Sequence, residues 1–304
     1  MQSPSTNVQF SFVRELGFGT YGEVSLVQEA TSGTYYAQKL IRVRDYQDPR
    51  AIKQVADEVD KEVEIMKEKL RHHHIASVLF NVREGATFRL IMLPVADCDL
   101  RRYLELQCDR VDLSRDEANK YGDNWFGCLV SALAYVHEQQ IKHEDIKPKN
   151  ILIKHNRPYL SDFGSAIDFS RLEASTSPDH ATAGTPIYWP PENTSRGRPA
   201  DIFALGCVFS EMLTVRQRYT LAEYREARFV HNTDFGNAFR KNLGGVRRWL
   251  NRLPRLESRD AILPILKETI ADMIEEQPND RPKARQIKRK FRVEEDLLFC
   301  SACC

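Results

Sequence analysis

The chain has 304 residues, 42% of them hydrophobic and 29% charged, with 44 lysines and arginines against 43 aspartates and glutamates. That length and apolar content suffice for a substantial buried core, and a formal net charge of +1 gives no global electrostatic argument for a nucleic-acid partner. No apolar run approaches the length of a membrane span, the polar start Met1–Asn7 lacks the apolar core of a signal peptide, and seven cysteines, odd in number and read as scattered without a C-x-x-C pair, suit a reducing compartment, cytoplasm or nucleus.

In chain order, Phe10–Arg14 and Val24–Val27 read as strands, and between them runs Leu16-Gly17-Phe18-Gly19-Thr20-Tyr21-Gly22-Glu23. Glycines there let backbone N–H groups approach phosphate oxygens. The turn joins strand to strand rather than strand to helix, which argues against a dinucleotide-binding crossover. Tyr35–Leu40 is a further strand carrying Lys39. Between Ile52 and Leu70 the apolar Ile52, Val55, Val59, Val63 and Met66 recur three or four apart, the period of a helix. The following His72-His73-His74 is read as a polar helix-to-strand connection rather than a metal site, because adjacent side chains diverge and no second ligand cluster stands nearby in sequence. Arg89–Leu93 reads as a buried strand and Pro94–Leu100 as the turn out of it.

The densest chemistry lies in His143-Glu144-Asp145-Ile146-Lys147-Pro148-Lys149-Asn150 and Asp162-Phe163-Gly164. Between them, Ile151–Ile153 and Tyr159–Ser161 flank the polar turn Lys154–Pro158, the pattern of a short hairpin. A hairpin brings its ends together, so the Asn150 amide and the Asp162 carboxylate converge as oxygen ligands for a hard divalent cation. Asp145, on the loop entering the hairpin, is placed to accept a proton from an attacking hydroxyl, and Lys147 to steady a transferring phosphate.

With H-x-D-x-K-x-x-N and D-F-G in this order, the chain resembles the eukaryotic protein kinases, of serine/threonine type. The resemblance implies an α+β, two-lobed fold over residues 8–293, with a β-rich N-lobe (8–93), a hinge (94–97) and a mostly helical C-lobe (98–293), followed by a cysteine-containing tail (294–304). It implies ATP and Mg²⁺, with Gly17, Phe18, Gly19, Thr20, Tyr21 and Gly22 covering the phosphates and Lys39 contacting the α- and β-phosphates. Glu62 is then the carboxylate that holds Lys39, with Glu58 and Glu64 as competitors, because the run up to His74 is one residue longer than the usual spacing. Leu93, Pro94 and Ala96 match the hinge, Val24, Ala37 and Leu152 the residues that sandwich adenine, and Asp99 the ribose contact. Asp145 and Lys147 are the catalytic pair, Asn150 and Asp162 the metal ligands.

Downstream, Gly184–Glu192 resembles the family's G-T-x-x-Y-x-A-P-E segment with Pro190 in place of alanine; the family pattern pairs Glu192 with Arg281 and makes Asp201 the anchor of the catalytic-loop backbone. Asp99 and Glu211 match acidic positions that select basic peptides, whereas Lys149 conflicts with that preference. Arg240, Lys241, Arg247, Arg248, Arg252, Arg255 and Arg259 form either a docking surface for an acidic partner or, interleaved with Phe239, Leu243, Val246, Trp249 and Leu250, the solvated face of an amphipathic helix; the helix is favoured. The end, Phe299–Cys304, reads as a disordered tail or as a site of lipidation that would add peripheral membrane association. Glu144 stands where many relatives carry an arginine that captures phosphate, and Ile167 where many have a second basic residue. The activation segment is therefore expected to fold without phosphate, with Arg171 pairing with Glu144. The function implied is transfer of the ATP γ-phosphoryl group to serine or threonine of protein substrates; a pseudokinase scaffold and a small-molecule kinase are the alternatives.

Overall fold

Alternating burial along β-branched and aromatic segments builds an antiparallel sheet first. The computed structural model describes residues 8–19, 22–43, 45–108, 122–170, 184–192, 197–253 and 260–303, and these divide into two units, 1–71 with 75–97 and 72–74 with 98–304. The first unit is a five-stranded antiparallel sheet of β1 (Phe10–Gly19), β2 (Gly22–Glu29), β3 (Tyr35–Arg42), β4 (Ser77–Glu84) and β5 (Thr87–Leu93), in the order β1-β2-β3-β5-β4. On β3 the side chains of Ala37, Lys39 and Ile41 are buried while their neighbours are less so, because successive residues face opposite sides. Period two thus carries a charged lysine to the inner face.

Helix α1 (Pro49–Glu64) starts where Asp48 accepts the Arg50 N–H at 2.8 Å and Pro49 occupies the first turn, where its missing donor costs nothing. Its inner stripe buries Ala56, Val59 and Glu62. The expected helix to Leu70 departs from α geometry at Ile65–Lys69, a single π turn closed by Leu70 N to Ile65 O at 3.0 Å. A π turn absorbs an additional residue without breaking the hydrogen-bond ladder. That accounts for the extra residue in the spacing, and Glu62 keeps its place.

The second unit is mostly helical. Strands β6 (Cys98–Asp99), β8 (Ile151–Lys154) and β9 (Arg157–Leu160) form one small sheet, and β7 (Ile141–Lys142) pairs with β10 (Ile167–Asp168). Around them lie α2 (Leu100–Cys108), α3 (Asp123–Glu138), α4 (Arg198–Arg216), α5 (Leu221–Arg228), α6 (Leu243–Arg252), α7 (Ile262–Met273), α8 (Ala284–Phe291) and the short α9 (Glu295–Leu298). Helices α3 and α4 are buried nearly all round and form the core. Arg216 at the end of α4 clamps Asp123 at the start of α3 (2.6 Å) and Asp260 (2.7 Å).

Helix α6 realises the amphipathic reading, with Val246, Trp249 and Leu250 inside and Arg247 paired with Glu275 at 2.8 Å. Arg240 does not join a free basic surface: it donates to Pro186 O at 3.1 Å and lies over the Trp189 ring. Arg255 and Arg259 lie outside the described residues. The disordered-tail reading is corrected through Cys303, because α9 packs on α3 and Leu298 and Phe299 are buried.

Candidate active site

The predicted site residues fall in both units. In the first, Lys39 Nζ meets Glu62 Oε1 at 2.8 Å and Oε2 at 3.1 Å, with both side chains about 95% buried. The competitors are occupied elsewhere: Glu58 accepts from Gln54 and Glu64 pairs with Lys69. Gly19 and Gly22 close the β1–β2 hairpin as partners, and a Cβ on Gly22 would overlap the Leu40 carbonyl oxygen, so the sheet itself demands glycine there. Phe18 lies on β1 opposite Glu23, and Gly17 opposite Val24 with φ +148°. Thr20 and Tyr21 lie outside the described residues. Val24 pairs with Lys39 in register and Ala37 is buried, while Leu93 ends β5, with Pro94 following through a cis peptide bond and Ala96 half-buried.

In the second unit the predicted hairpin forms. Ile151 faces Leu160, and residues His155 and Asn156 turn the chain with φ of +46° and +57°. The strand ends meet, since Ser161 N and Oγ both donate to Asn150 O, at 2.9 and 3.0 Å. Asp162 follows with φ +62° and Phe163 is buried, its ring centroid 4.5 Å from that of His143. Leu152 is half-buried on β8.

Asp145 is held from three directions. Lys147 Nζ donates to its Oδ2 at 2.7 Å, Thr185 Oγ1 to its Oδ1 at 2.9 Å and Asn150 Nδ2 to its Oδ2 at 3.0 Å. Lys147 also reaches Thr185 Oγ1 at 2.8 Å, and Asn150 Nδ2 reaches Asp145 O at 2.9 Å. With its amide nitrogen turned to Asp145, Asn150 keeps Oδ1 as an oxygen donor that could hold a cation. Asn150 and Asp162 thus offer hard oxygen donors from the two adjoining ends of one hairpin, a set that fits Mg²⁺.

The loop backbone is anchored as expected. Asp201 accepts the N–H groups of His143 and Glu144, each at 2.9 Å, and His137 Nε2 lies 2.9 Å from it. Burial alone would raise the Asp201 carboxyl, but the His137 hydrogen bond, the pull of His137 and His143 and the His143 N–H hold it below the ordinary carboxylate range. Arg281 binds Glu192 through two 2.7 Å contacts, the geometry a guanidinium fork gives a carboxylate.

Two roles change. Glu211 is buried against Tyr188 (3.0 Å) and Arg101 (3.3 Å), so it is an internal brace rather than a surface for basic peptides. Asp99 Oδ1 accepts the Arg102 N–H at 2.8 Å and caps α2. Glu144 has a partner that sequence reasoning missed: Lys142 Nζ lies 2.8 Å from its Oε1, both side chains 2% exposed. Arg171, the expected partner, lies outside the described residues. The only sequence signal for Lys142 was its place two residues before Glu144.

The comparisons agree with this geometry. The family model for the protein kinase domain matches residues 10–291. Among curated relatives, the chain is 28% identical over 238 residues to a cAMP-dependent protein kinase catalytic subunit-like protein of Caenorhabditis briggsae, covering 76% of this chain and 57% of that protein. It is 26% identical over 299 residues to the mouse serine/threonine-protein kinase Nek4 (96% of this chain, 34% of Nek4) and 27% over 291 residues to mouse PLK2 (94% and 37%). The chain therefore spans between about a third and somewhat over half the length of these relatives. With a domain match over nearly its whole length and the fold and loop geometry that go with it, this chain belongs to the protein kinase family.

Proposed function

We propose that the chain is an ATP-dependent serine/threonine protein kinase. The observation that carries this reading is the Asp145 carboxylate, fixed by Lys147, Thr185 and Asn150 in a loop whose backbone Asp201 anchors. Phosphoryl transfer asks a protein mainly for positioning and charge stabilisation. A substrate serine or threonine hydroxyl would lose its proton to Asp145 as its oxygen bonds to the γ-phosphorus; the bond from that phosphorus to the β–γ bridging oxygen breaks, and ADP leaves. Lys147 stands beside Asp145 to stabilise charge on the transferring group, and Lys39, oriented by Glu62, would hold the α- and β-phosphates. Asn150 and Asp162 would hold Mg²⁺, which neutralises the phosphate oxygens when bound. Leu93, Pro94, Ala96, Val24, Ala37 and Leu152 would hold adenine, and Gly17–Gly22 would cover the phosphates. Asp99, whose Oδ1 caps α2, would contact ribose.

Thr185 and the Arg281–Glu192 pair favour a protein substrate over a small molecule, and the complete polar set favours an enzyme over a scaffold. The Lys142–Glu144 pair supports an activation segment that needs no phosphate, because the cation near the catalytic loop is already neutralised. A reducing compartment, cytoplasm or nucleus, suits the free thiols. Cys300 and Cys303 turn toward His74 and Cys128, which speaks against acylation at those two positions; Cys304 lies outside the described residues.

The test is incubation with γ-labelled ATP, Mg²⁺ and a degenerate peptide array presenting serine, threonine or tyrosine. Label on serine and threonine peptides is expected. Label on tyrosine alone, on small molecules alone, or on nothing would refute the reading.

A further inference from the structure

Residues beyond α8 are not a loose appendage. A 3-10 turn (Arg292–Glu294) and α9 lead to a tight turn in which Cys303 N donates to Cys300 O at 2.9 Å. The segment lies directly on α3 at Gly127, where a Cβ would overlap the Leu298 carbonyl oxygen and come within 2.8 Å of the Phe299 ring. The residue after Gly127 is the buried Cys128. Its thiol meets those of Cys300 and Cys303 and the imidazole of His74, and the four ligand-type atoms all lie within 4.8 Å of one another.

The histidine is prepared for this role. His74 Nδ1 lies 2.8 Å from the Pro158 carbonyl, a contact that only an N–H can satisfy, so the neutral ring carries its lone pair on Nε2, 3.1 Å from Cys300 Sγ. Its own carbonyl accepts the Leu160 N–H at 2.8 Å, which fixes the backbone that carries the ring. A carbonyl bound to the far nitrogen is the usual outer support of a metal-ligating imidazole.

Three sulfurs and one imidazole nitrogen are the donor set of a soft-to-borderline cation and exclude calcium and magnesium. Zinc–sulfur bonds of about 2.3 Å place tetrahedral donor atoms about 3.8 Å apart, so small side-chain rotations close the cluster onto a metal. A disulfide would use two of the sulfurs and leave the third thiol and the oriented imidazole without a purpose. We propose that His74, Cys128, Cys300 and Cys303 form a closed, four-coordinate structural zinc site. The metal ties the C-terminal segment to α3 and, through His74, to the β8–β9 hairpin that bears Asn150 and Asp162 at its other end. Cys128, Cys300 and Cys303 are gathered rather than scattered, and their C-x-x-C pair was overlooked; for His74 the proposal stands against the non-metal reading. Cys300-Ser301-Ala302-Cys303 is a C-x-x-C pair, the sequence signal that could have found the site.

The test uses the full chain purified under reducing conditions. Elemental analysis should find stoichiometric zinc, and Co²⁺ exchanged for it should give an intense sulfur-to-cobalt charge-transfer band with the visible bands of a tetrahedral site. Removing zinc with a strong chelator should lower the melting temperature by about 10 °C, reversed by adding Zn²⁺ alone. Cys300→Ser and His74→Ala should lose the metal, whereas His74→Cys, which keeps four ligands, and Cys98→Ser should retain it. Should a variant fail to fold, the cobalt spectrum and chelation of the unaltered protein still decide. Substoichiometric zinc, no charge-transfer band and an unchanged melting temperature would overturn the proposal. So would a disulfide between Cys300 and Cys303 found after alkylation without reduction.

Discussion

Two buried lysine–glutamate pairs have the same shortest contact of 2.8 Å and nearly the same burial, yet they sit in very different settings. Lys39 and Glu62 are 23 residues apart, on a strand and a helix, and bring a cation to the inner face of the first unit. Lys142 and Glu144 are two residues apart, at the end of β7 and the start of the catalytic loop. In the proposed function the long-range pair orients a cation toward an incoming anion, and the local pair cancels a cation near the position where many relatives keep one to capture phosphate. Contact geometry alone does not distinguish these uses. Where each charge would go when substrate or phosphate arrives does.

The comparison breaks most sharply under paired neutralisation. Lys39→Met/Glu62→Gln removes both charges together and is expected to fold but lose peptide phosphorylation by a factor on the order of 10²–10³. Lys142→Met/Glu144→Gln should fold and keep activity within about threefold, because replacing a whole buried pair is often close to neutral. Equal losses in both double variants, measured by initial rates, would erase the distinction.

Breaking one side only should expose the shared physics. Lys142→Met alone leaves the Glu144 carboxylate buried without its lysine and should cost about 3–5 kcal/mol in urea unfolding. Recovery of most of that loss on adding Glu144→Gln is expected; no recovery would mean that the lysine acts through packing.

Asp201 sharpens the contrast, being a buried carboxylate held by backbone N–H groups and His137 rather than by lysine. Its carboxyl is lowered on folding, so its contribution is fully present above the unfolded value of about 3.9 and is lost as pH falls through the lower folded value. Asp201→Asn should be less stable at neutral pH by about 1.5–3 kcal/mol and lose less on acidification. Parallel profiles of stability against pH for the two proteins would contradict this.

The smallest effect concerns phosphate. Complete phosphatase treatment, or alanine at Ser175, Thr176, Ser177 and Thr182, hydroxyl residues that the sequence between Gly164 and Glu192 offers for modification, should leave activity within about twofold, because Glu144 is already paired internally. A large loss in both experiments with folding intact would show that a phosphate-binding site exists after all.

The catalytic loop was legible because its chemistry is local: Asp145, Lys147 and Asn150 lie within one loop, and the turn between Ile153 and Tyr159 brings Asp162 back beside Asn150. The family resemblance pointed to Glu62, and the π turn at Ile65–Lys69 explains why spacing left rivals. Other features depend on packing that local pattern does not encode. His74 meets Cys300 across 226 residues, and Gly127 looked like any helix glycine until Leu298 and Phe299 lay on it. Glu211 matched a substrate-facing position by pattern, but Tyr188 and Arg101 enclose it.

The most direct test of the central claim is single-turnover phosphorylation by the unaltered protein and by Asp145→Asn, with ATP affinity measured on the same samples. Asp145→Asn should slow the chemical step at least about 10²-fold while ATP binding changes little. Phosphorylation at an undiminished rate by a folded Asp145→Asn protein would contradict the assignment of Asp145 as proton acceptor, and with it this account of the site.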